Sequence, residues 1–335
     1  MKLEHQAPGG RSAILLHDLY LSLIAPFGEL PASLIIIPDN RLHFLPFDAL
    51  LTQAPDRLLI EQLGANFWKG QERIDGGASY LLHNHNVQYA DAANLLYIPR
   101  IGSKPANQGL AAFAPVYGER DRFQGAVIPP LNGHDAHAKR LVEQMSGKAF
   151  LGTNADSVTF FQEVSSYSLL HLALHGYANE TDPLKAALAF SSTAQSQGVI
   201  YAASLYGLPP ISAELVSLLS CETGAGAYEQ GEGIMSLARA FRCVGARSVL
   251  MSLWQADIGP GMEIIESFYH YLDEGLSKPQ ALRQAKLDWL SQADAIGAVP
   301  SKWANFVLTG VGDPLPPRPF RWGYIIIALI TLGLI

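Results

Sequence analysis

Two apolar runs in this chain of 335 residues each lead into a side chain able to do covalent chemistry. LLHLALHGYAN (169–179) contains His175, and LVSLLSCETG (215–224) contains Cys221. Each run has the length and composition of a buried strand. A thiol attacks as its thiolate, so a catalytic cysteine needs a neighbouring base or cation, most often a histidine. Acyl transfer also needs N–H donors for the developing oxyanion. Gly176 lets the backbone approach a substrate closely, and its N–H is the candidate donor. The same residues have a plainer reading. A free cysteine is usually a small buried hydrophobe, and a lone histidine on an apolar strand is usually a satisfied core residue. Spacing alone leaves both readings open.

Other chemistries are poorly supported. His171 and His175 are four apart, but on a strand and without the glutamate of HExxH, which argues against a zinc pair. NGHDAHAKR places His134, Asp135 and His137 together where a helix starts. Asn132 or Asp135 is expected there as a cap, and no metal site is expected. Gly224, Gly226, Gly231 and Gly233 form a loop before a helix, with neither GK[ST] nor GxGxxG spacing to cradle phosphate. Cys243, in AFRCVGARS, is expected in the core. Two cysteines make no disulfide framework, so a reducing compartment is the default. The net charge of −7 contains no basic block, which argues against a direct nucleic-acid partner.

The elements that must position these side chains follow from periodicity. An amphipathic helix, ILLHDLYLSLIAPF, ends near Pro26; His17 and Asp18 interrupt it too early for a signal peptide. A buried strand at 34–37, a turn at 38–40 and a second short strand ending at Pro46 come next, with another strand at 109–116. From about residue 136, helices (136–145, 157–164, 233–243, 263–272, 279–289) alternate with strands (149–151, 169–174, 215–219, 248–253). That alternation predicts an α/β fold with a largely parallel sheet. Ligands of such sheets bind beyond the carboxyl ends of the strands, where His175 and Cys221 stand.

Residues 322–335, WGYIIIALITLGLI, carry no charge. Fourteen helical residues span about 21 Å, short of a roughly 30 Å hydrocarbon core. Arg318 and Arg321 precede the run, and Trp322 and Tyr324 suit the headgroup level. The run is therefore read as the start of a transmembrane helix after a PPRPF linker (313–321), with the domain on the cytoplasmic face of the inner membrane.

LLHLALHGYANETDPLKAALAF, LVSLLSCETGAG, GEGIMSLARAFRCVGARSVLMSLW, FYHYLDEGLSKPQALRQAKLDWL and WANFVLTG are similar in type and order to the blocks of CHAT domains. LYLSLIAPF and IIIPDNRLHFLPFDALL resemble the start of such domains, so the resemblance covers about residues 13–312. These are caspase-like cysteine peptidases related to separase and gingipains, often fused to tetratricopeptide repeats. The resemblance implies a caspase-like, mostly parallel sheet flanked by helices. It also implies two caspase-like halves, a non-catalytic one at 13–125 and a catalytic one at 126–312. It assigns the catalytic histidine to His175, the nucleophile to Cys221 and the oxyanion hole to the N–H groups of Gly176 and Cys221. The chain departs from the family pattern in four places: Ser220 replaces alanine, YADA (89–92) replaces YxPS, histidines replace the acidic residues usual near PLNGHDAHA, and the acidic residue near the specificity pocket falls at Asp257, one place early, with Ile258 at its usual position.

The expected activity is that of a cysteine endopeptidase cleaving a protein or peptide through a thioester, without metal or organic cofactor, under a tetratricopeptide-repeat sensor. The alternative is a catalytically silent pseudo-peptidase that binds a partner peptide. A small-molecule thiol hydrolase is a weaker third reading.

Overall fold

The computed structural model of this chain describes residues 10–56, 68, 79–93, 107–179, 181–194, 196–219, 232–254 and 257–317. Helix α1 (Gly10–Leu23) leads into β1 (Ser33–Ile36), β2 (Asn86–Tyr89) and β3 (Asn107–Ala114). A short hairpin of β4 (Arg122–Phe123) and β5 (Ala126–Val127) follows. Next come α2 (His134–Gln144), β6 (Lys148–Leu151), α3 (Ser157–Glu163), β7 (Tyr167–Leu172), β8 (His175–Tyr177) and β9 (Ala187–Ala189). After them lie β10 (Val199–Tyr201), α4 (Ala202–Tyr206), β11 (Leu215–Leu218), α5 (Glu232–Cys243) and β12 (Ser248–Ser252). The last elements are α6 (Ile258–Asp273), α7 (Lys278–Gln292), α8 (Pro300–Trp303) and β13 (Phe306–Gly310).

Eight strands form the main sheet in the order β1-β2-β13-β12-β11-β7-β3-β6. Every neighbouring pair is parallel except β12 and β13. β1, β2 and β13 therefore run one way and the other five run the opposite way. Continuous apolar runs suit strands covered on both faces, and β7, β11 and β12 are buried along their whole length. Register places Ala112 beside His171 and Phe113 beside Leu172, and successive side chains point to opposite faces. On one face His171 meets α2 through His137 and α6 through Tyr269. On the other, Phe113 packs on Phe160 of α3, which in turn reaches Phe241 of α5. The observed architecture is the expected α/β sheet flanked by helices. It is continuous across residue 125, which lies in the β4–β5 turn, and β3 sits between β6 and β7.

Several local expectations are corrected. The segment expected as a strand ending at Pro46 contains a 3-10 helix, Asn40–Phe44. Asn40 takes φ 49° and turns the chain away from β1. The Tyr89 hydroxyl then satisfies the backbone that a ladder would have paired, donating to Leu45 O at 2.7 Å and accepting from Phe47 N–H at 3.0 Å. Neither Asn132 nor Asp135 caps α2; the N-cap is Gly133 at φ 80°, a left-handed turn that favours glycine. Cys243 is exposed. Leu237, Phe241 and Val244 form the buried stripe around α5, and Cys243 lies off it. Among the described residues no helix is long and apolar enough to cross a membrane; the run at 322–335 lies outside them. The start of the expected linker is held in place, with the Asp313 carboxylate accepting from Arg247 at 2.9 Å.

A buried charge pair ties the N-terminal segment to α7. The Lys286 ammonium, fully buried, donates to the Asp48 carboxylate and to Phe306 O at 2.7 Å. Burial holds the Lys286 pKa below the usual lysine value, although Asp48 pulls it upward. Arg283, on the same helix, donates to the carbonyls of Leu82 (2.6 Å) and His83. Removing one member of a buried pair strands the other charge. Asp48→Ala is therefore expected to lower unfolding stability by about 3–5 kcal/mol in urea titration, with Asp48→Leu/Lys286→Met recovering most of it. A loss of under about 1 kcal/mol in the single variant would contradict this role.

Candidate active site

His175 opens β8, three residues beyond the end of β7. β8 leaves the main sheet and joins β9 and β10 in a small antiparallel sheet, where His175 faces Ala189 and Gly176 faces Leu188. The imidazole is 4% exposed, and its Nε2 lies 2.8 Å from Pro129 O. A carbonyl only accepts, so Nε2 carries the hydrogen and Nδ1 is the basic nitrogen of the neutral ring. The His175 N–H donates to the Tyr117 hydroxyl at 3.2 Å, and that hydroxyl donates to Ala189 O at 2.6 Å. Tyr117 thus fixes the height of the histidine on β8. The ring of Tyr117 lies 5.2 Å from that of His175, and the ring of Tyr177 lies 6.2 Å from it. Tyr177 stacks on Phe123 of the hairpin, with centroids 4.0 Å apart and planes within 15°.

Of the other candidates, Gly176 is buried beside His175. Cys221 lies outside the described residues. Asp257, the N-cap of α6, pairs with Lys302 of α8, so its carboxylate is already engaged by a cation. Sequence reasoning missed Pro129 and Tyr117. Pro129 acts through its carbonyl, for which residue type carries no signal. Tyr117 follows β3 in APVYGER, and a buried tyrosine in need of a hydroxyl partner was the available clue.

A model of the CHAT domain family matches residues 13–311. The chain belongs to the CHAT domain family. Tetratricopeptide repeat protein 28 of Homo sapiens is 37% identical over 79 residues, 24% of this chain and 3% of that protein. Its Mus musculus counterpart is 32% identical over 100 residues, 30% of this chain and 4% of the relative. This chain thus spans only a few per cent of the curated relatives it matches. Among solved structures, the Saccharomyces cerevisiae separase–securin complex is similar at 12% identity and TM-score 0.49, over 83% of this chain and 15% of that one. The Arg-specific cysteine proteinase gingipain R is similar at 10% identity and TM-score 0.44, covering 69% of this chain and 55% of that one.

Behind His175 lies a buried histidine cluster. His134 and His137 face inward from α2, whereas Asp135 is exposed beside Lys139. The His137 ring is 5.2 Å from that of His171, whose two ring nitrogens have no hydrogen-bond partner among the described residues. His137 Nδ1 and the Arg140 guanidinium share Glu266 Oε1, at 2.9 Å and 2.6 Å. Among the described residues no group of three His, Cys, Asp or Glu side chains is arranged to hold a metal.

Burial, reinforced by the charge of neighbouring histidines, holds His171 well below its ordinary pKa. Burial likewise lowers His134 to about 4, against a rise from its bond to Asn132 O. The bond from His137, more than any other cause, lowers Glu266 to about 2. The unfolded chain binds protons to these histidines first, so their contribution to stability is complete above about pH 6.5 and is lost as pH falls below it, down to about 4 for His134. Glu266 contributes above its unfolded pKa, and its share is lost only as pH falls toward 2. The urea midpoint is expected to fall between about pH 7 and pH 5, and His171→Leu to flatten that fall. A midpoint independent of pH, or an unchanged slope in the variant, would contradict the assignment.

Proposed function

We propose that this chain is a cysteine endopeptidase in which Cys221 attacks the scissile carbonyl and His175 carries the proton. The observation that supports this most directly is the hydrogen bond from His175 Nε2 to Pro129 O at 2.8 Å. It selects the tautomer whose Nδ1 takes up and gives back a proton. Topology adds support. β11 lies beside β7 in parallel register, and Leu219 N–H donates to Leu172 O at 3.1 Å. Residues two before Cys221 and three before His175 are therefore bonded to each other.

In this reading the Cys221 thiolate forms the S–C bond, and the oxyanion is held by the N–H groups of Gly176 and Cys221. The C–N bond then breaks as His175 protonates the leaving amine. Water attacks the thioester, its proton passes to His175, and the S–C bond breaks to release the acid and restore the Cys221 thiolate. Tyr117 is a positioning residue, supplied from the first half (13–125) to the catalytic half (126–312). The Asp257–Lys302 pair argues against a strong demand for a basic P1 side chain, because such a residue must displace Lys302. The repeat proteins among the relatives support a tetratricopeptide-repeat sensor as regulator. A membrane anchor at 322–335 rests on the sequence alone.

Cleavage of a peptide library followed by mass spectrometry tests this reading. Cys221→Ala is expected to abolish cleavage, and His175→Ala to slow it by about 10²–10⁴-fold. Cleavage persisting in Cys221→Ala would overturn the assignment. Tyr117→Phe keeps the ring but loses both hydroxyl bonds. It is expected to lower kcat about tenfold or more with KM little changed; an effect on KM alone would exclude a positioning role.

A further inference from the structure

Two tyrosine rings with different surroundings lie near His175. Tyr117 is buried, and its hydroxyl is bonded to His175 N–H and Ala189 O. Tyr177, two residues along β8 and so on the same strand face, is only half-buried and stacks on half-buried Phe123. Tyr177, Phe123 and Leu131 pack against a small apolar cluster of Tyr117, Ile128 and Ala189. The hairpin that carries Phe123 turns at Gln124 (φ 50°) and Gly125 (φ 85°), the left-handed pair of a tight two-residue turn. It ends two residues before Pro129, whose carbonyl holds the His175 ring.

An imidazole that protonates the leaving amine must lie about 3 Å from that nitrogen. The residues after the scissile bond therefore pass close to His175, at about 3.3–3.6 Å per extended residue. The Tyr177 ring, 6.2 Å from that of His175, is within reach of the first or second of those residues. A partly exposed, stacked aromatic pair selects another large apolar or aromatic side chain.

Resting on the peptidase reading above, we propose that Tyr177 and Phe123 form the primed-side subsite. It selects substrates with an aromatic or large apolar residue at P1′ or P2′. Specificity is thereby read after the cut, by groups fixed to the same backbone that orients His175.

The test is a digest of a proteome-derived peptide library by the full chain, with the new N-termini sequenced by mass spectrometry. Phe, Tyr, Trp, Leu and Met are expected at the first or second position after the cut at about fivefold or more above background. Phe123→Ser is expected to remove that enrichment while the preference before the cut stays, which a general loss of structure would not produce. Phe123→Leu keeps the volume filled and is expected to shift the preference from aromatic to aliphatic, so the test stands even if the serine variant does not fold. Cleavage without enrichment after the cut, or enrichment unchanged in both variants, overturns the subsite and leaves the peptidase reading intact. Absence of any cleavage by the wild-type chain overturns both.

Discussion

The hydrogen bond from the His175 ring to the Pro129 carbonyl is the constraint on which the candidate site depends. A bond of this kind contributes only about 1 kcal/mol net to stability, so its importance lies in orientation. It fixes which imidazole nitrogen holds the hydrogen and which way the ring turns. Three separate segments meet to make it. β8 supplies the histidine, the stretch before α2 supplies the carbonyl, and Tyr117 after β3 holds the β8 backbone through its hydroxyl. A single segment cannot place both the ring and its acceptor, and the parallel pairing of β3 with β7 brings Tyr117 and His175 out at the same end of the sheet.

The sheet serves as a platform because its central strands are buried on both faces and its edges are tied elsewhere. The Lys286–Asp48 pair and the Arg283 bonds hold the N-terminal segment against α7, far along the chain from His175. The histidine cluster under α2 lies closer to the site. α2 starts five residues after Pro129, and it is fastened to α6 through Glu266 and packed on β7 through His137 and His171. Its seat against the sheet therefore bears on the carbonyl that orients His175, linking the neutrality of buried imidazoles to the geometry of the site.

Much of this was legible from sequence where a local rule applied. The strand–helix alternation after residue 136 gave the parallel sheet, and LLHLALHG placed His175 at a strand end, because unbroken apolar runs have few alternatives to a doubly covered strand. What was not legible depended on tertiary pairing. RLHF reads as a strand until Asn40 turns the chain and the Tyr89 hydroxyl takes the backbone bonds. Asn132 and Asp135 are good caps by type, yet the left-handed Gly133 opens α2 instead. Cys243 reads as core, and only the phase of α5 against the sheet exposes it. In the site, Pro129 acts through a backbone atom common to every residue, and Lys302 reaches Asp257 across 45 positions. Cys221 lies outside the described residues, so its role rests on the family motif and on the β7–β11 pairing.

The two cysteines allow the central claim to be tested within one molecule, with exposed Cys243 as the internal reference thiol. The measurement is the site of covalent labelling by a limiting amount of peptidyl acyloxymethyl ketone, mapped by mass spectrometry in the wild-type chain and in His175→Ala. The account predicts an adduct on Cys221, none on Cys243, and slower labelling when His175 is removed. Labelling of both thiols at similar rates, or of Cys221 at a rate indifferent to His175, would contradict it.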